Sequence, residues 1–139
     1  MMNSVTVSAE LGLSLVVPEH GAVPLVASLD YCADDPYAVK MAFHVGTDEP
    51  VEWIFARELL AAGLEAPTGE GDVQVWPQDG DASDILNIAL SSPFGEAHFQ
   101  APKSATAEFL RSTYQIIPEG SETDFLNVDS ELEDLLWRA

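Results

Sequence analysis

Positive charge is what this sequence most lacks. Its 139 residues hold five Lys and Arg against 24 Asp and Glu, a formal net charge of −19. Nucleic-acid binders gain affinity by setting Lys and Arg at successive phosphates. Lys40, Arg57, Lys103, Arg111 and Arg138 are too few and too dispersed to make a basic stripe. The chain's own field repels a phosphate backbone and an anionic lipid surface alike. Neither nucleic acid nor direct membrane insertion is expected. Cysteine occurs once, at Cys32, so no disulfide closes within the chain and no oxidising compartment is implied. Long apolar runs are missing too, and nothing approaches the ~20 residues of a membrane-spanning helix. The first Lys or Arg is Lys40, and the early apolar residues alternate with Thr6, Ser8, Glu10, Gly12 and Ser14. No secretory leader is expected, and the protein reads as cytoplasmic.

What is present is enough for a core. Apolar residues make up 47% and charged residues 21%, a mixture that folds. The length suits one domain spanning residues 1–139, since domains commonly run ~100–150 residues.

Val5, Val7, Ala9, Leu11, Leu13, Leu15 and Val17 share one period-two face and predict a long half-buried strand. Pro18 to Pro24 reads as a turn. Leu25 to Tyr31, Val39 to Val45 and Val51 to Phe55 continue the alternation as three more strands, with a bend at Asp34-Asp35-Pro36. Ala56 to Ala62 suits a short helix, with Gly63 as its stop. Pro67 to Gly71 reads as a loop. Val73 and Val75, Leu86 to Leu90, and Ala97 with Phe99 give three further strands, the first two separated by an acidic loop from Gln78 to Asp84. The period then changes. Pro102 suits a first helical position, and Phe109, Leu110 and Thr113 follow at helical spacing. Ser130 with Glu133 makes a capping box before the stripe of Leu132, Leu135 and Leu136. The expected class is α+β, with about seven mainly antiparallel strands, a short mid-chain helix and two C-terminal helices. No repeat is visible.

No motif points to catalysis, a cofactor or a metal. Asp79 to Asp84 begins like a calcium loop, but Asp84 and Leu90 stand where the EF-hand needs Gly and Glu. Gly69-Glu70-Gly71 precedes a strand, whereas a dinucleotide fingerprint opens a helix. His20, His44 and His98 have no close His or Cys companions for zinc, and the latter two fall at outward, solvated positions. Cys32 beside Tyr31 reads as structural. More informative are Val16, Val26, Ile54 and Trp76, apolar residues on the face otherwise held by Ser14, Ser28, Glu52 and Gln74. Helices or a second sheet would cover such residues, or they form a partner surface. Trp76 leads that set, because Trp is enriched in interface hot spots.

Three segments resemble a known family: DPYAVKMAFH (35–44), VEWIFARELLAAGLEAPTGEGDVQVWP (51–77) and IALSSPFGEAHFQAP (88–102). They are similar to the SsgA-like proteins of sporulation-specific cell division in actinomycetes, and the similarity spans nearly the whole chain. The resemblance implies a fold of the whirly type known from single-stranded nucleic-acid-binding proteins, a homotrimer, and a protein without catalytic residues. It further implies recruitment of the tubulin-like GTPase FtsZ, together with an SsgA-type protein, at septum sites. One departure matters: where the family often carries basic residues, near Ala66, near Gln74 and from Asp79 to Ser83, this chain is neutral or acidic. A single-stranded nucleic-acid binder is the alternative that the whirly likeness suggests, but fold does not carry function across.

Overall fold

The computed structural model describes residues 6–44, 49–78, 83–93 and 95–122. Alternation in the first segments produces β1 (Thr6–Val17) and β2 (Gly21–Cys32), a hairpin in register from Thr6–Cys32 to Val17–Gly21. β3 (Ala38–His44) and β4 (Val51–Ala56) extend it, and α1 (Arg57–Gly63) follows without a break. The second half repeats that order: β5 (Thr68–Glu70), β6 (Val73–Pro77), β7 (Ile85–Ser92), β8 (Gly95–Pro102) and α2 (Lys103–Ile116). The strands make one antiparallel sheet in the order β4-β3-β2-β1-β8-β7-β6-β5. Two four-strand meanders, each closed by a helix, therefore meet at β1 and β8. The ladder across that seam consists of Ser14–Gln100 and Leu15–Phe99.

The sheet supplies much of its own core by curling. Neighbouring strands lie ~4.8 Å apart, so a flat sheet would hold β3 and β8 roughly 14 Å from each other. Phe43 of β3 and Phe99 of β8 instead stack with ring centroids at 4.3 Å. Leu11, Leu13, Leu29, Met41, Val75, Leu86 and Ile88 fill the space between the two halves, and Phe109 and Leu110 of α2 pack onto the same cluster.

Three expectations change. The loop expected from Pro67 to Gly71 contains β5. Thr68, Gly69 and Glu70 show no apolar alternation, and pairing with Val73–Val75 makes them a strand. That raises the count among the described residues to eight. Pro102 ends β8 and caps α2 from outside the helix. The capping is supplied from far away in sequence, where Asp84 accepts from the Ser104 N–H at 2.7 Å and from the Ser104 hydroxyl at 2.8 Å, placing a carboxylate at the helix's positive end. Gly63 is the last helical residue and ends no helix by left-handed geometry. A methyl group there would lie 2.6 Å from Cβ of Val75 and closer still to its Cγ1. Its task is to let α1 approach β6. The second C-terminal helix, Val45, and most of the Gln78–Asp84 loop lie outside the described residues.

One cation holds the two helices to the sheet. Arg57, at the start of α1, is 1% exposed. Its Nη1 donates to the Thr113 carbonyl at 3.2 Å and the Ile117 carbonyl at 2.8 Å, and Nη2 to the Glu122 carboxylate at 2.8 Å. The guanidinium sits 4.1 Å from the Tyr114 ring centroid and 4.9 Å from that of Tyr31. Tyr31 in turn donates to the Pro36 carbonyl at 2.9 Å, fixing the bend before β3. Burial pushes both tyrosine hydroxyls above their ordinary pKa despite the opposing pull of Arg57. Burial also raises the Glu122 carboxyl, but the bonds from Arg57 and from the backbone outweigh it and leave the pKa below its ordinary value.

Removing one member of a buried ion pair strands its partner. Arg57→Ala is expected to lower stability by about 3–5 kcal/mol in urea unfolding. Glu122→Gln tests the pair by pH. A carboxyl with a depressed folded pKa stabilises fully above its ordinary value and loses that contribution as pH falls through the folded value. The stability difference between wild type and Glu122→Gln should therefore shrink in acid; a constant difference would remove the ion pair from this account. Gly63→Ala should lose about 1–3 kcal/mol through overpacking against Val75, despite alanine's better helix propensity.

Candidate protein-interaction surface

Strand register assigns every side chain to the inner, packed face or the outer face. Leu11–Ala27 and Leu13–Leu25 pair on the inner face. The outer face carries Gly12, Ser14 and Val16 of β1, Pro24 and Val26 of β2, His44 of β3 and Ile54 of β4. Across the seam it carries Gln100 and His98 of β8, Asn87 and Ala89 of β7, and Gln74 and Trp76 of β6. All four apolar residues singled out from the sequence thus share one face. They do not form one patch.

Ile54 is 67% exposed and Val26 is 45% exposed. No helix of the described residues covers either. Ile54 pairs with Lys40 and Val26 with His44, at opposite ends of β3. Val16 is half-buried and lines an outer-face groove of about 330 Å³, which Gln74, Glu96, Asp72 and His98 also line. Trp76 is half-buried beside that groove, its ring 5.3 Å from the imidazole of His98.

His98 corrects the expectation of a solvated imidazole. It is half-buried and bonded to Oδ1 of Asn87 at 2.8 Å, while the amide nitrogen of Asn87 donates to Gln78 at 3.0 Å. Because Asn87 Oδ1 can only accept, His98 must donate through Nε2. Asn87 is buried in the sheet, and its partners explain how an amide is accommodated there. The other histidine placed outward, His44, is exposed as expected, 3.0 Å from the Ser28 hydroxyl. Cys32 is half-buried at the end of β2.

Sequence reasoning missed Val23 and Val51, 47% and 51% exposed. Both occupy inward positions, opposite Leu15 and Phe43 respectively. Each sits near a strand end beyond the reach of the packed interior. Val51 rims an open apolar hollow of about 340 Å³ lined by Leu15, Phe43, Trp53, Leu90 and Phe99. For Val23 the available signal was its place inside Pro18 to Pro24, a stretch that reads as a turn and that β2 in fact enters at Gly21.

Two of the five cations are committed elsewhere. Arg57 is buried against Glu122, and Nζ of Lys40 lies 3.6 Å from Glu52.

The whole chain has close counterparts. The model of a family described as Streptomyces sporulation and cell division protein, SsgA, matches residues 25–122. The sporulation-specific cell division protein SsgB of Thermobifida fusca is 53% identical over 131 residues, covering 94% of this chain and 95% of the relative. SsgB of Streptomyces coelicolor is 49% identical over 131 residues, covering 94% and 96%. The solved structure of an SsgA-like sporulation-specific cell division protein from Thermobifida fusca superposes with a TM-score of 0.87 at 51% identity, covering 96% of this chain and 98% of that one. A second solved structure, from work linking SsgB mutations to longitudinal cell division in Streptomyces coelicolor, gives 0.84 at 48% identity, covering 90% and 98%. The likeness first carried by residues 35–44, 51–77 and 88–102 holds across the molecule, and the chain belongs to the SsgA family of sporulation and cell-division proteins.

Proposed function

We propose that this chain is a non-enzymatic cytoplasmic adaptor of sporulation septation, which recruits or positions FtsZ at septum sites together with an SsgA-type protein. The observation that carries the reading is the outer face of the sheet, which no helix of the described residues covers. Ile54 and Val26 lie open there, and Val16 and Trp76 are accessible in part, on a chain whose charge is otherwise −19. Contiguous apolar surface marks sites of protein association, and Val16 and Trp76 approach it most nearly, meeting at one groove beside His98. The names of the relatives supply the process, sporulation-specific cell division. The assembly we propose is a homotrimer. The alternative, a single-stranded nucleic-acid binder, requires a cationic groove with stacking aromatics. With Arg57 buried and Lys40 paired, that reading has little to build on.

Contact through apolar side chains is not weakened by ionic screening. Titrating labelled FtsZ with the protein should therefore give an affinity that holds or improves between low and high salt. A steep loss would contradict the reading. Trp76→Ala and Ile54→Asp should each weaken the complex about tenfold or more, as truncation of a hot spot does, with unfolding curves close to wild type. Light scattering of the protein alone should report three times the 15.0 kDa of one chain, and the addition of FtsZ should raise it.

A further inference from the structure

β4 and β5 are the edge strands of the sheet, and neither pairs with a further strand among the described residues. The β5 edge is three residues long and includes a glycine, a poor template for pairing. β4 differs. It runs six residues as Val51-Glu52-Trp53-Ile54-Phe55-Ala56, with an unbroken register against β3 and neither proline, glycine nor bulge. Natural edges are usually blunted by such features.

Which main-chain groups lie free follows from one bond. The Arg57 N–H donates to the Tyr37 carbonyl at 2.7 Å. In an antiparallel ladder bonded pairs alternate, so Phe55, Trp53 and Val51 bond to Val39, Met41 and Phe43. The N–H and C=O groups of Glu52 and Ile54 then point away from the sheet. Among the described residues nothing bonds to them.

Space lies alongside. A groove of about 230 Å³ follows β4, walled by Trp53, Phe55 and Leu59 on one side and by Asp72 and Val73 on the other. Trp53 and Val51 also line the apolar hollow of about 340 Å³ that opens on the inner face at this end of the strand. The side chains lining the groove are mostly apolar, with main-chain groups and Asp72 between them. The charges around it are acidic: Glu52 on the strand, Asp72 in the groove wall and Glu96 in the hollow, with Lys40 already engaged by Glu52.

We propose that β4 receives an extended peptide segment of a partner as a ninth strand. That segment alternates apolar residues, which enter the groove against Trp53, Phe55 and Val73, with Lys or Arg residues, which face Glu52 on the outer side. Main-chain bonds to Glu52 and Ile54 supply the pairing, and the alternate side chains supply the selection, as in other cases of strand addition. The site shares Ile54 with the outer face but uses its main chain, where the FtsZ contact uses its side chain, so the two readings are tested by different substitutions. Peptide binding is weakened by salt, where contact through the outer face is not.

The test uses the full-length protein and a fluorescein-labelled octapeptide of alternating valine and arginine, with a valine–glutamate octapeptide beside it. Anisotropy should show saturable binding of the first and none of the second. Ile54→Pro removes the outward N–H without touching a bond to β3 and should weaken binding about tenfold. Ile54→Ala keeps the N–H and should bind much closer to wild type than Ile54→Pro does, which separates loss of the main-chain bond from loss of the side chain. In the wild-type protein, hydrogen exchange at Glu52 and Ile54 should slow when the peptide is added. Equal binding by the proline variant, or unchanged exchange at both amides, overturns the proposal and leaves only attraction between a cationic peptide and an acidic protein. A drop in the protein's own mass in light scattering on Ile54→Pro also overturns it, because the edge is then occupied by a second copy.

Discussion

The arrangement of both helices depends on one buried guanidinium. Arg57 opens α1, yet its bonds go to the C-terminal end of α2 and to Glu122 beyond it. The first meander with its helix is thereby tied to the last turn of the second. A charge is tolerated there because the late carbonyls of α2 carry partial negative charge, a carboxylate completes the neutralisation, and two aromatic faces receive the cation. Hydrophobic packing alone would position α1 less sharply, since greasy contacts have no direction. The directed bonds set the rotation of α1, and that rotation brings Gly63 against Val75.

Alternation was the strongest signal available to sequence reasoning. β1, β2, β4 and β7 announce themselves because one face is buried and the other is wet, so residue polarity records the pleat directly. β5 left no such record. Its three residues have no face to bury, and pairing with β6 alone makes them a strand. Gly63 was located correctly for the wrong physical cause: a stop by conformation was inferred, and a close approach to a β-branched side chain was found.

The candidate surface was legible in part. Placing Val16, Val26, Ile54 and Trp76 on one face needed only parity. Their separation across the sheet depended on register, which no local pattern encodes. His98 looked solvated because parity cannot reveal that Asn87, on the neighbouring strand, would lie beside it. Arg57 was counted merely as one of few cations. Its burial follows from the meeting of α1 and α2, which are separated by four strands, and nothing near position 57 foretells a partner at 122.

The seam between the two meanders has a further bearing on cooperativity. β1 meets β2 along twelve paired positions but meets β8 through a ladder of two. Backbone bonds contribute little to the union of the halves. Stacked rings, interdigitated aliphatic side chains and the Arg57 cluster carry it instead. The packing contacts among them fall off within an ångström or so of separation, whereas a long ladder frays bond by bond. The molecule thus resembles two clasped hands more than one woven cloth: the halves stay locked together or part at once.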